Sequence, residues 1–413
     1  MLTTTAAERA AGLSLRQLRL FEAIGDLKSV RRASEECSLS QPAVTQALAK
    51  LEDQVGSALV DRRASGSYLN ELGEIFHARV KRFFAQTEQA VVESGAASSA
   101  KSARPIVNRL TRSQIRTLIS TIQSGSFEAA AEATRVSSAS LQRAARDLDG
   151  NMRVPLFYRT AAGMLVSPRG VRFGQRMKLA LQEIEFGIDE IDAARGGGGR
   201  QIVIGAMPFG GSVLLASVLD EFLRRHPHAD IRIVSDSAAA MAKSLRSGDV
   251  DLVVGLLQEA DSDELATEAL AQTPYSVVAR LGHPLSSKGR LAIQDLTACD
   301  WVIGETGSSR RRCFEGLFAG GAGPHAQIAT CATPVIRQLL ERSDRLTLMT
   351  TYELQYADGR LRALPFGPIT PVPWIGFSKR ADWLPTRLHL DFMELVRAHI
   401  AAPPDSVPLR RAG

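Results

Sequence analysis

The chain has 413 residues, 45% of them hydrophobic, with 50 Lys/Arg against 44 Asp/Glu and a formal net charge of +6. That length fills two to four domains with at least one packed core, and the modest positive charge permits a polyanionic partner without requiring one. No run approaches the roughly 20 apolar residues that cross a bilayer, and "MLTTTAAERAAGLSLRQLRLF" lacks the charged start and apolar core of a secretory signal, so the expected location is cytoplasmic with no membrane partner. Cys37, Cys299, Cys313 and Cys331 form no C-x-x-C pair and have no histidine at zinc-ligand spacing, which argues against a disulfide framework, a metal site or a cofactor held by them.

In chain order, Leu18, Phe21 and Ile24 recur at helical spacing, followed by Val30, Ala33 and Cys37 and then Val44, Leu48 and Leu51. The spacing predicts three short helices. Ser29 is placed to cap the second and Ser40 or Gln41 the third, with Pro42 in the first turn where its missing N–H does no harm. Gly56 ends the third helix, and "RRASGSYLN" predicts a two-stranded wing turning at Ser65 and Gly66. Residues 12–82 therefore read as a winged helix-turn-helix.

"LSQPAVTQALAKLEDQVGSALVDR" at 39–62 aligns without a gap to "VSSASLQRAARDLDGNMRVPLFYR", 97 positions later. The second copy keeps the apolar scaffold through Ile115, Leu118, Ala130, Leu141, Leu148 and Leu156, so 107–170 predicts a second winged helix-turn-helix. Its charge differs. Residues 15–82 hold 11 Lys/Arg and 9 Asp/Glu, a net of +2, whereas 112–179 hold 11 and 4, a net of +7. Between the copies, the small polar stretch "ESGAASSAKSARP", which starts at Glu93, predicts a flexible linker over 94–106. After the second copy, Met177, Leu181, Ile184, Ile188 and Ile191 stripe one face of a helix over 171–194, which a four-glycine run stops.

Residues 200–400 alternate strand-like and helix-like runs: "QIVIGAM", "SVLLASVLDEFLRRHP", "ADIRIVSDS", "AAAMAKSLRSGDV" and "DLVVGLL", with the pattern restarting at "YSVVARLGHPL". Such alternation predicts two α/β lobes built on parallel sheets, with ligands outside the carboxyl ends of the strands. The candidate ligand contacts are Met207, Pro208, Phe209, Ser212, Ser235, Ser237, Thr306, Ser308, Arg310 and Thr330. Helix-starting serines and an arginine suit a polar or anionic metabolite. The same serines and threonines could equally cap helices.

"LRQLRLFEAIGDLKSVRRASEECSLSQPAVTQALAKLEDQVGSALVDR" resembles the DNA-binding head of the LysR-type transcriptional regulators, and "LRSGDVDLVVG" and "VVARLGHPL" resemble their effector-binding part. The resemblance implies a multidomain chain: two winged heads, a linker helix, and a two-lobed effector domain with the fold of periplasmic solute-binding proteins. It implies a sequence-specific regulator of double-stranded DNA, controlled by a small molecule between the lobes. Gln41, Pro42, Thr45 and Gln46 would face the major groove, and Lys50, Arg62 and Arg63 the phosphates. In the second copy Gln142, Arg143 and Arg146 could do likewise, although Asp147 stands where Lys50 stands; the alternative is a head kept for packing. The helix 171–194 would pair with its copy in a homodimer or tetramer, and RNA polymerase would be a further partner. With no serine elbow, phosphate loop or paired-carboxylate motif, no enzymatic activity is expected. Two other readings are a cytoplasmic solute-binding receptor with a degenerate DNA-binding region and a cysteine redox-sensing regulator.

Overall fold

The computed structural model describes residues 5–63, 66–160, 163–196, 201–206, 211–257, 263–321, 323–355 and 359–401, and the chain divides into two compact units, Met1–Gly198 and Gly199–Gly413. The first unit runs α1 (Ala6–Gly12), α2 (Leu15–Leu27), α3 (Val30–Glu36), α4 (Gln41–Val55), β1 (Val60–Arg63), β2 (Gly66–Leu69) and α5 (Glu71–Glu93), then α6 (Ala100–Val107), α7 (Arg112–Ser124), α8 (Phe127–Thr134), α9 (Ser138–Met152), β3 (Phe157–Thr160), β4 (Gly163–Val166) and α10 (Pro168–Ala194). Each copy is thus three helices, an antiparallel hairpin and a long helix.

The two copies fold alike because the same local chemistry is repeated at the same offset. Ser14, Ser29, Ser40 and Asn70 cap α2, α3, α4 and α5, and their counterparts Thr111, Ser126, Ser137 and Ser167 cap α7, α8, α9 and α10; such caps satisfy backbone N–H groups that the first turn leaves open. Longer-range bonds repeat as well. A carboxylate on the third helix of each copy accepts the N–H of the strand-leading leucine, Glu52 from Leu59 at 2.7 Å and Asp149 from Leu156 at 2.9 Å. Gly73 and Gly170 start the long helices against the carbonyls of those leucines, where a Cβ would lie 2.1 and 2.2 Å from the oxygen. One contact is repeated with its sizes exchanged. Gly25 faces His77 in the first copy, whereas in the second Ile122 stands in the glycine's place and faces Gly174.

Two expectations are corrected here. The segment 94–106 is not an open tether: α6 starts at a Ser99 cap and buries Ala103, Ile106 and Val107. It takes the place before the second copy that α1 takes before the first, with α6 packed on α5 and α1 on α10. The helix predicted over 171–194 begins at Pro168, and its stripe is not left for another subunit. Met177, Ile184, Ile188 and Ile191 are fully buried in one core with Phe76, Val80, Phe83 and Val91 of α5. The composition of 94–106 misleads because serine and alanine suit a coil until a capping box and an apolar neighbour turn them into a helix.

Between α2 and α6 lies a cavity of about 720 Å³ lined by Arg16, Arg19, Glu22 and Arg104 among others. Burial pushes the Glu22 carboxyl up to about 7, with Arg104 opposing the shift and Asp26 and Glu88 adding to it. A carboxyl raised on folding binds its proton more tightly in the native state, so its contribution to stability falls as pH rises from about 4.5 to about 7. Glu22→Gln removes that slope: urea midpoints should match those of the parent protein near pH 4.5 and exceed them above pH 7. Parallel midpoint curves across this range would show that Glu22 does not titrate this way.

The second unit contains β5 (Gln201–Ala206), α11 (Gly211–Arg225), β6 (Asp230–Ser235), α12 (Ala238–Ser247), β7 (Leu252–Leu256), β8 (Leu265–Gln272), β9 (Tyr275–Arg280), α13 (Ile293–Thr297), β10 (Val302–Ile303), α14 (Ser309–Leu317), β11 (Ile328–Ala329), α15 (Thr333–Glu341), β12 (Thr347–Thr350), α16 (Thr351–Gln355), β13 (Leu361–Ala363), β14 (Trp374–Arg380) and α17 (Arg387–Ala401). One lobe is a sheet ordered β6-β5-β7-β14-β8, and the other joins β12-β9-β13 to the parallel pair β10-β11 through a bridge from Trp301 to Leu346. The sheets are mixed and not purely parallel. β5 pairs parallel with β6 and β7, but β14 is antiparallel to β7 and β8, and β9 to β12 and β13. β14 returns from the other lobe, so no βαβ crossover sets its direction. The chain passes between lobes twice, at Thr273–Pro274 and again between β13 and β14.

Candidate nucleic-acid interface and effector site

On α4 the helical period separates two faces. Val44, Leu48, Leu51 and Val55 are buried, while Gln41, Pro42, Gln46 and Lys50 are exposed and Thr45 is half-buried. The Ser40 cap accepts the Ala43 N–H at 3.4 Å, which leaves the Gln41 and Pro42 side chains at the exposed tip. The five α4 candidates therefore share one open face. Arg62 and Arg63 lie on β1 in the hairpin, and their side chains fall outside the described residues.

On α9 the buried set is Leu141, Ala145, Leu148 and Met152. Arg143, Arg146 and Asp147 are exposed and Gln142 is half-buried. Gln142 donates to the Ser138 hydroxyl at 3.5 Å, and Arg146 Nε reaches the Gln142 carbonyl at 3.3 Å. The second copy thus offers an amide and two guanidinium groups where the first offers amides and an ammonium. Both faces suit hydrogen bonding to base edges and phosphates.

In the second unit the candidate contacts divide. Met207, Pro208 and Phe209 lie outside the described residues, and Ser212 lies on α11 with its side chain likewise outside them. Ser235 ends β6 and Thr306 stands in the turn before α14, both exposed. Ser237 and Ser308 are occupied as caps, accepting from Ala240 N at 3.3 Å and Arg311 N at 3.1 Å. Thr330 accepts from Ala332 N at 3.1 Å.

Arg310 differs from these. It is buried at the start of α14, hydrogen-bonded and ion-paired to Glu353 of α16, and its Nε and Nη1 have no hydrogen-bond partner. Tyr275, at the start of β9 beside the first passage between lobes, adds a buried hydroxyl whose ionisation burial and Glu353 oppose and which bonds Ser309. Thr273, in the passage itself, keeps a buried hydroxyl without a partner. Glu353, Tyr275 and Thr273 were not among the expected contacts; they lie tens of residues from Arg310, and no local motif joins them. Burial raises the Cys299 and Cys313 thiols, away from the thiolate that oxidation needs. Among the described residues no group of His, Cys, Asp and Glu could hold a metal ion, and no helix is long and apolar enough to cross a membrane.

Helical heads with exposed amide and basic faces, followed by a two-lobed α/β unit, define a ligand-responsive DNA-binding regulator. The chain belongs to the LysR family of transcriptional regulators, whose LysR substrate binding domain matches residues 195–401 and whose bacterial regulatory helix-turn-helix domain matches twice, at 15–74 and 113–171. The HTH-type transcriptional regulator GalR of Pseudomonas putida is 29% identical over 393 residues, covering 93% of this chain and 96% of that one. PcaQ of Agrobacterium fabrum, another HTH-type transcriptional regulator, is 24% identical, with 67% of this chain and 91% of that one covered. A full-length OxyR variant from Pseudomonas aeruginosa shares the fold at a TM-score of 0.50 and 18% identity, over 70% of this chain and 93% of that one.

Proposed function

We propose that residues 12–82 and 107–170 are two winged heads that both meet double-stranded DNA, and that 200–400 is a periplasmic-binding-protein-like receptor for a small anionic metabolite. Gln41, Pro42, Thr45 and Gln46 read bases in the leading head, with Lys50, Arg62 and Arg63 on phosphates; Gln142, Arg143 and Arg146 do this work in the second. The observation that carries the reading is the polar face borne at the same place on α4 and α9, with Gln41, Gln46 and Lys50 exposed on the first and Arg143 and Arg146 on the second. The anionic effector is supported by the buried Arg310, two of whose nitrogens are unpartnered. Homodimers or tetramers would form through the second unit, where Leu223 of α11 and Ile233 of the edge strand β6 are exposed. The regulator works in the cytoplasm with RNA polymerase as a further partner.

Gln41→Ala should weaken specific binding by about 1–3 kcal/mol while leaving the circular dichroism unchanged. An operator footprint identical to that of the parent protein would remove Gln41 from the reading set. For the second head, each lost phosphate contact lowers the slope of log affinity against log salt by about 1. Arg143→Ala/Arg146→Ala should therefore flatten the slope by about 2, and an unaltered slope from a folded variant would make this head a packing module.

A further inference from the structure

α5 and α10 run antiparallel, and three of their polar contacts follow one rule. Arg79 Nε meets Glu190 at 2.9 Å, Gln86 Nε2 meets Glu183 at 3.3 Å, and Arg176 Nε meets Glu93 at 2.9 Å. At the 97-residue offset Arg176 is the counterpart of Arg79 and Glu190 of Glu93. The outer two bonds are thus one contact made twice in opposite senses. Gln86 and Glu183 are counterparts of each other and meet midway. Contacts of i with j and of j with i, about a pair of equivalents on the axis, are what a two-fold dimer makes. α1 on α10 and α6 on α5 repeat the exchange at the helix ends.

The midpoint has lost its symmetry in a way that opposes other pairings. The Glu183 side chain is only 5% exposed and is held by Arg79 at 2.8 Å, Arg82 at 3.1 Å and Gln86. Two α10 helices paired with each other would bring two buried Glu183 carboxylates together, and Leu179 stands where Arg82 has its counterpart. Like charges brought together in a buried site are strongly unfavourable. Close approach is also built in, since a Cβ on Gly187 would lie 2.8 Å from the Phe76 ring.

We infer that α5 and α10 make each chain an internal dimer, so that a single chain reads one bipartite duplex site whose two halves differ in sequence. One half is read by the Gln41–Gln46 face and the other by Gln142, Arg143 and Arg146. This rests on the reading that both heads meet DNA, and the test separates the two ideas. In the full-length protein, Glu93→Cys/Arg176→Cys is treated with a short bismaleimide, with each single variant as the control for the native cysteines. The expected product is one chain bridged to itself in a yield independent of dilution. Bridged pairs of chains whose yield rises with concentration would overturn internal pairing whether or not DNA binds.

The bridged protein is then used to select duplexes from a random pool and to footprint them. Two protected halves of unlike sequence are expected. Gln41→Ala/Lys50→Ala should clear one half and Arg143→Ala/Arg146→Ala the other, each lowering affinity roughly 100-fold because the linked heads otherwise bind as one unit. Protection of a single half, or of a palindrome whose halves both fade in either variant, would overturn the bipartite site. Failure to select any duplex would instead remove the DNA-reading function beneath it.

Discussion

Arg79→Met is expected to lower the unfolding free energy by about 2–4 kcal/mol, somewhat below the usual cost of stranding a buried charge because Arg82 still faces Glu183. Arg79 is 2% exposed and holds Glu183 and Glu190 together. The methionine can fill the space of the arginine stem but leaves Glu183 in the core with Arg82 and Gln86 alone. Because this network lies on the α5–α10 seam, the loss falls on the contact that holds the two copies together. Urea unfolding followed by helical circular dichroism measures it. Adding Glu183→Gln to Arg79→Met should recover most of the loss, since the remaining group is then neutral. A single variant as stable as the parent, with no gain from the second change, would mean that the seam is held by its apolar stripe alone.

Arg310→Met should cost about 3–5 kcal/mol, because Glu353 is 1% exposed and loses the cation it is paired with. The carboxylate would keep the Thr350 N–H at 2.8 Å and the Thr350 hydroxyl at 3.1 Å, which hold it in place without neutralising it. Arg310→Met/Glu353→Gln should fold well and thereby separate stability from binding. A thermal-shift panel of small carboxylates and phosphates on the parent protein identifies an effector; at 100 times its Kd it adds about 2.7 kcal/mol. The double variant should show no shift with that anion at the same concentration. A shift of parental size would place the anion elsewhere and leave Arg310 as a structural partner of Glu353.

Much of the first unit was legible because its determinants are local. A serine before an apolar period marks a helix start wherever it falls, and the 97-residue offset carries each cap of the first copy onto a cap of the second. The exposed face of α4 follows from the same period, once Val44, Leu48 and Leu51 are turned inward. What covers the α10 stripe was not legible, because an apolar face has no address: Ile184 and Ile188 demand burial without naming α5. The charged residues carry that information, in Arg79, Glu183 and Glu190, but only when the two copies are compared against each other in reverse. The effector candidates show the same limit. Ser237 and Ser308 announce helix starts and serve as caps, whereas Arg310 and Glu353 stand 43 residues apart and meet only in the folded lobe.

The exchanged sizes of the Gly25–His77 and Ile122–Gly174 contacts bear on how the gene can change. Two tandem copies of one module invite recombination, which can trade a stretch of one for the matching stretch of the other. A crossover between the short helices and the long helix would set Ile122 against His77 in one product and Gly25 against Gly174 in the other, a collision and a void in place of two good fits. Exchange that keeps each pair whole escapes the penalty. The two halves of the gene are therefore free to drift apart at their surfaces, but each must be inherited as a block.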